Sequence, residues 1–303
     1  MGHSGPVSAF SDPEALADAL RATGYLPDAG ISTAAYLASA LGRPLFLEGE
    51  AGVGKTSLAT ALAEIRGSEL IRLQCYEGID AAQALYDWDF PRQVLHLRAV
   101  EAVSGSASSA AADLAAVEAE LYSERFLISR PILAALRTPG AVLLIDEIDR
   151  ADDEFEAFLL EVLSEFAVTI PELGRIVAET PPLVVLTSNR TREVHDALKR
   201  RCLYHWVEHP SLEREVAILR SRLPEITASL ARQVAQAVGR LREVDLLKPP
   251  GVSESLDWAR ALLALGRDSL DPEIAAITLG SVLKYKEDTD RVRATGLEAI
   301  LAS

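Results

Sequence analysis

Short unbroken apolar runs alternate with helical apolar spacing through the first part of the chain, and after Pro210 the runs stop. Leu45-Phe46-Leu47, Leu70 to Gln74, Ala141 to Ile145 and Leu183 to Leu186 read as strands, and Ala141 to Ile145 has the continuous apolar character of a strand buried on both faces of a parallel sheet. Between them, Asp12-Pro13-Glu14 supplies an N-cap, a first-turn proline and an acidic first turn for a helix to about Ala22. Further helices are predicted over about Ser32 to Leu41, over Ser57 to Ile65 with Leu58, Leu62 and Ile65 on one face, and over Ile132 to Arg137. Asp80 with Gln83 predicts a capped short helix ending at Leu85. Beyond Ser211, Leu230, Val234, Ala237, Leu241 and Val244 recur at helical spacing, and Asp271-Pro272-Glu273 opens another helix. The pattern predicts a doubly wound α/β core over residues 1–210, with a parallel sheet, followed by an all-α domain over 211–303.

Two stretches fit neither period. Tyr86-Asp87-Trp88-Asp89-Phe90-Pro91 breaks the helical pattern, and Tyr86 to Leu97 reads as an inserted loop or hairpin, its aromatics either tucked onto the domain or exposed as an anchor for a partner. Glu101 to Glu124 is rich in Ala and Ser, with a helix expected in its second half and a floppy start at Ser104-Gly105-Ser106.

The most informative string is Gly49-Glu50-Ala51-Gly52-Val53-Gly54-Lys55-Thr56, which matches G-x-x-x-x-G-K-S/T between a buried strand and a helix. Its glycines allow backbone N–H groups to converge on phosphates at a helix N-terminus, where the dipole favours anions. Residues Gly49 to Ser57 are therefore expected to bind ATP, with Lys55 on the β- and γ-phosphates and Thr56 on Mg²⁺. Val142-Leu143-Leu144-Ile145 then ends in Asp146-Glu147, two carboxylates at a strand end, where a phosphate site needs a metal ligand and a base. Asp146 is expected to hold Mg²⁺ and Glu147 to polarise the attacking water. The acidic run Asp149 to Glu156 reads as a solvated helix start. Leu183 to Leu186 leads into Thr187-Ser188-Asn189-Arg190, whose Asn189 can orient that water. In Asp196-Ala197-Leu198-Lys199-Arg200-Arg201-Cys202, the basic residues either complement a helix dipole or offer Arg201, with Arg200 as second candidate, as an arginine finger for a neighbouring subunit's ATP.

Composition narrows the partners. With 30 Lys and Arg against 45 Asp and Glu, a net charge of −15 disfavours nucleic acid and anionic membrane as principal partners. No apolar run is long enough to span a bilayer. Met1-Gly2-His3-Ser4-Gly5-Pro6 fits neither a signal peptide nor a myristoylation site. Cys75 and Cys202 lack metal-ligand spacing and read as small buried hydrophobes, which suits a cytoplasmic protein.

The order of phosphate loop, Asp-Glu strand, strand ending in Asn, basic helix end and helical lid resembles the AAA+ ATPases, and within them the MoxR family. The segment around Trp88 and Phe90 falls where those proteins insert into helix 2, and Val168 to Val177, within about 167–178, is similar to their pre-sensor hairpin. Gln74-Cys75-Tyr76-Glu77-Gly78, Leu143 to Asp152 and Leu198 to Trp206 are similar to the CoxD-like branch. The resemblance implies a hexameric ATP-driven chaperone that works with a von Willebrand factor A partner to mature a metalloenzyme, in the CoxD case a molybdenum-containing carbon monoxide dehydrogenase. One departure stands out: where many MoxR proteins carry a sensor-2 arginine in G-x-S-x-R, this chain reads Gly251-Val252-Ser253-Glu254-Ser255, leaving Arg260 as an alternative. The competing readings are a P-loop switch, disfavoured by the helical lid and the absence of N-K-x-D, and an ATP-dependent assembly scaffold, disfavoured by Glu147.

Overall fold

The computed structural model describes residues 10–104 and 110–301. The readings of Met1 to Pro6 and of Gly105-Ser106 lie outside the described residues. In chain order the elements begin with α1 (Pro13–Ala22), α2 (Ala29–Leu41), β1 (Leu45–Glu48), α3 (Lys55–Arg66), β2 (Leu70–Gln74) and α4 (Ala81–Leu85). They continue with β3 (Tyr86–Trp88), α5 (Phe90–Ser104), α6 (Ala110–Leu121), β4 (Leu127–Ser129), α7 (Pro131–Arg137) and β5 (Val142–Asp146). Next come α8 (Asp153–Glu165), β6 (Ala167–Ile170), β7 (Gly174–Val177), β8 (Leu183–Ser188), α9 (Asp196–Arg201) and β9 (Leu203–Trp206). The chain closes with α10 (Leu212–Arg222), α11 (Ala228–Glu243), α12 (Val252–Ala264), α13 (Pro272–Val282), α14 (Lys286–Thr295) and α15 (Leu297–Leu301).

Five strands form one sheet in the order β2-β5-β8-β1-β9. β5 runs parallel to β2 on one side, with Gln74 level with Asp146, and parallel to β8 on the other, with Leu186 level with Ile145. Every residue of β1, β5 and β8 is buried, as strands covered on both faces require. Helix starts follow the local chemistry: Asp12 accepts from Ala15 N, Asp271 from Ile274 N, and a proline follows each at the first helical position. At α4, Asp80 and Gln83 form the expected capping box.

The described residues fall into two compact units, one built from 37–46 and 66–203, the other from 10–36, 47–65 and 204–301. β1 and β9 contribute residues to both. The core of the first includes Phe46, Leu73, Phe126, Leu143, Ile145, Phe155 and Leu186. That of the second is helical, with Leu230, Val234, Ala237 and Leu241 of α11 against Trp258, Leu262, Ile274 and Leu279. Trp258 is buried with its indole N–H donating 2.8 Å to Thr278 Oγ1, which satisfies its polar atom.

The segment expected to be a loop or hairpin over Tyr86 to Leu97 is neither. Tyr86–Trp88 pairs antiparallel with the distant Leu127–Ser129, and α5 begins at Phe90. Asp89 Oδ1 accepts from Arg92 N at 3.0 Å, so Asp89 caps the helix and Pro91 sits in its first turn, where a missing N–H costs nothing. Trp88 is buried, edge-on to Tyr86 and Tyr122 at 6.0 and 5.3 Å, and so is a core residue rather than an exposed anchor. Phe90 alone of that pair is exposed. Residues of β6 and β7 form an antiparallel hairpin, Ala167 pairing with Val177.

Cys75 and Cys202 are both free and buried, and burial pushes each thiol up to about 12. At pH 8 both are protonated and shielded. A thiol reagent added to the native protein is therefore expected to titrate neither, and both after denaturation; rapid native labelling of either would contradict the packing described.

Candidate active site

The phosphate loop lies in the second unit and owes its shape to close backbone contacts. A Cβ on Gly49 would stand 2.4 Å from Val207 O, so only glycine fits where the chain leaves β1. Gly52 and Gly54 hold φ of +78° and +98°, the left-handed region open to glycine without a Cβ clash. Lys55 begins α3, is 6% exposed, and donates from Nζ to Gly49 O and Glu50 O at 2.7 Å each. Its ammonium is thus folded over the loop it is expected to serve. Thr56 and Ser57 are exposed in the first turn of the same helix.

The first turn of α12 rests on this loop. Val252 N and Ser253 N donate to Gly52 O at 3.0 and 3.3 Å, and a Cβ on Gly251 would meet Ala51 O at 2.5 Å. Behind that contact, Ser255 is fully buried and donates to Glu215, which takes a bidentate pair from Arg242 at 2.7 and 2.8 Å. Arg242 Nε donates in turn to Pro250 O, fixing the approach to α12. His209, whose Nδ1 is buried without a hydrogen-bond partner among the described residues, is lowered to about 4 by burial and by the nearby positive charges of Arg242 and Lys55. It is neutral at physiological pH. Arg260 is exposed and paired with Asp257 at 3.2 Å.

The carboxylate centre lies in the first unit, at the end of β5. Asp146, 4% exposed, accepts from Arg72 Nη2 of β2 at 2.6 Å and from Thr187 Oγ1 of β8 at 2.5 Å. Thr187 Oγ1 also accepts from Glu147 N at 3.0 Å, so one hydroxyl bridges both acidic residues. Glu147 has φ +55°, a conformation few non-glycine residues adopt, and it turns the side chain off the strand direction. Its Oε1 accepts from Asn189 Nδ2 at 3.2 Å and its Oε2 from Gln74 Nε2 at 3.0 Å, with Arg150 3.5 Å away. The structure thus brings Asn189 to Glu147. Arg72, Gln74 and Thr187 are members of the site that sequence reasoning missed; the polar residues alternating on β2 were the signal available.

The reading of Asp149 to Glu156 as a solvated helix start is half corrected. Asp152 caps α8 by accepting from Phe155 N at 2.9 Å, and Asp152, Asp153 and Glu154 are exposed. Asp149 and Glu156 are instead buried, because each accepts hydrogen bonds from the segment after β8, Glu156 from the Arg192 guanidinium and from His195 N at 2.8 Å. Arg200 and Arg201 are exposed in the last turn of α9, with Arg201 Nη1 donating to Leu160 O at 3.1 Å. The carbonyls closing that helix are taken up by Arg43, which donates to Arg200 O, Arg201 O and Cys202 O.

A glycine-built loop with a buried lysine at a helix start, in a chain whose buried parallel strand β5 leads into Asp146-Glu147, defines a P-loop ATPase of the AAA+ class. Residues 44–202, more than half of the chain's 303, match the AAA domain family in its dynein-related subfamily, and the chain belongs to that family. No curated protein matches the chain. Among solved structures, the Thermotoga maritima RuvB Holliday junction branch migration motor is similar at 16% identity and a TM-score of 0.46, covering 87% of this chain and 68% of that one. A mutant of the same motor gives 16% identity, a TM-score of 0.48, and 92% and 74% coverage. The chain is an ATPase. Among the described residues no helix is long and apolar enough to cross a membrane, and no group of three or more His, Cys, Asp or Glu could by itself hold a metal ion. The Asp146 carboxylate is a hard oxygen donor of the kind Mg²⁺ takes alongside substrate phosphates.

Replacing Lys55 by Ala is expected to weaken ATP binding at least about a hundredfold, since it removes charge-assisted hydrogen bonds worth about 1.5–3 kcal/mol each. Calorimetric titration measures it; unchanged affinity would place the nucleotide elsewhere.

Proposed function

We propose that Glu147 is the general base of ATP hydrolysis and Asn189 the amide that orients the attacking water, a reading supported above all by their 3.2 Å contact beside the buried Asp146. Gly49 to Ser57 cradle the triphosphate, Lys55 exchanging its two loop carbonyls for β- and γ-phosphate oxygens. Thr56 and Asp146 hold Mg²⁺, which when bound neutralises charge on the phosphate oxygens. Glu147 draws the proton from the water as the water oxygen attacks the γ-phosphorus and the bond from that phosphorus to the β,γ-bridging oxygen breaks, releasing ADP and phosphate, while Asn189 orients the water. Arg201, with Arg200 as second candidate, serves a neighbouring subunit's nucleotide as an arginine finger; its exposure at a helix end supports that reading.

The finer assignment rests on the sequence resemblance. The chain acts as a MoxR-type ATPase of the CoxD-like branch, an AAA+ domain over 1–210 with a helical lid over 211–303, assembling as a hexamer. With a von Willebrand factor A partner it remodels or matures a metalloenzyme of the molybdenum carbon monoxide dehydrogenase type in the cytoplasm. The antiparallel hairpin of β6 and β7 supports this reading.

Glu147→Gln keeps the hydrogen-bonding shape of the side chain but cannot take a proton. It is expected to bind ATP with Mg²⁺ as the unaltered protein does and to lose about a hundredfold or more in turnover. Steady-state phosphate release and nucleotide titration on one preparation decide the matter, and near-normal hydrolysis would remove Glu147 from the role of base.

A further inference from the structure

Asp149 lies in the short 3-10 turn at 148–150 that follows the catalytic strand, and it is 2% exposed. Its carboxylate is turned away from Glu147's task and engaged with the segment after β8. Oδ1 accepts from Asn189 N at 3.2 Å, and Oδ2 accepts from Thr191 N at 2.8 Å and Thr191 Oγ1 at 2.7 Å. Between those anchored residues stands Arg190, a non-glycine residue at φ +59°, whose N–H donates to Ser188 Oγ at 2.9 Å. A left-handed turn at a residue with a side chain persists only where its surroundings hold it. The surroundings here are one carboxylate gripping the backbone on both sides of the turn. The same turn sets where the Asn189 amide projects, 3.2 Å from Glu147.

We infer that Asp149 is a positioning residue for ATP hydrolysis: by clamping the backbone of residues 189–191 it holds Asn189 on Glu147. The inference rests on the reading of Glu147 and Asn189 as hydrolytic residues. Asp149 is no substitute base. It is 2% exposed, its carboxylate already accepts three hydrogen bonds from one segment, and moving it toward a water would release the turn.

Asp149→Asn is the sharpest probe because it preserves volume. Its NH₂ must then face a backbone N–H, either that of Asn189 or that of Thr191, so one side of the clamp turns from attraction to repulsion. The expected result is a fall in kcat of about tenfold or more, the scale of one lost charge-assisted hydrogen bond, with KM and ATP affinity within about twofold. Asn189→Ala alone is expected to lose at least as much. Because Asp149 acts through Asn189, the double variant should be no slower than Asn189→Ala.

If Asp149→Asn leaves kcat unchanged while Asn189→Ala lowers it, the clamp is overturned and the hydrolytic reading stands. If the two losses multiply in the double variant, Asp149 acts independently of Asn189 and the inference is likewise overturned. If Asn189→Ala itself has no effect on kcat, both the role of Asn189 and the clamp's purpose fall together. Should Asp149→Asn fold poorly by circular dichroism, Thr191→Val removes only the hydroxyl contact; a drop in kcat at constant KM, absent in the Asn189→Ala background, supports the clamp, and no change overturns it.

Discussion

Asp146, at the end of a strand buried along its whole length, must find its hydrogen-bond donors inside the protein, since an unpaired buried carboxylate costs several kcal/mol, and the half-buried Glu147 beside it draws on the same neighbours. The strand order answers that need. β5 lies between β2 and β8, so Arg72 and Gln74 reach the acids from one side and Thr187 and Asn189 from the other. Thr187 is the economical member, giving its proton to Asp146 while accepting from Glu147 N. The neighbouring strands therefore carry polar ends on apolar bodies, and the turns beyond them are held by buried acids rather than by solvent.

The phosphate loop is governed by a different constraint, close approach of backbone to backbone. Gly49 yields to Val207 O, and Gly251 yields to Ala51 O as the first turn of α12 donates to Gly52 O. This contact bears on the missing sensor-2 arginine. The place of that arginine is taken by Ser255, which is fully buried and bonded into the Glu215–Arg242 pair. A guanidinium there would confront Arg242 at close quarters, whereas Arg260 is exposed and engaged with Asp257. The first turn of α12 meets the phosphate loop through main-chain groups.

Much of this was legible in the sequence because local chemistry and tertiary structure agree. The fully apolar strands, the Asp-Pro helix starts and the Asp80–Gln83 capping box each depend on neighbours a few residues away. What escaped depends on partners far along the chain. Tyr86–Trp88 is a strand only because Leu127–Ser129 lies beside it, and Pro91 looked like a breaker until Asp89 was seen to cap α5. Asp149 and Glu156 carry charges that ordinarily mark a solvated face; both are buried because amides and an arginine some forty residues later turn back onto them. Periodicity has no means of reporting such donors.

The measurement closest to the central claim is the ATP turnover of Thr187→Val, a near-isosteric change that deletes the hydroxyl bridging Asp146 and Glu147 without touching either acid. The account predicts a folded protein with kcat reduced by about tenfold or more, because Glu147 N loses its acceptor and Asp146 loses a donor in a buried setting. A variant that turns over ATP at the unaltered rate would contradict the claim that the carboxylate pair depends on donors from its neighbouring strands.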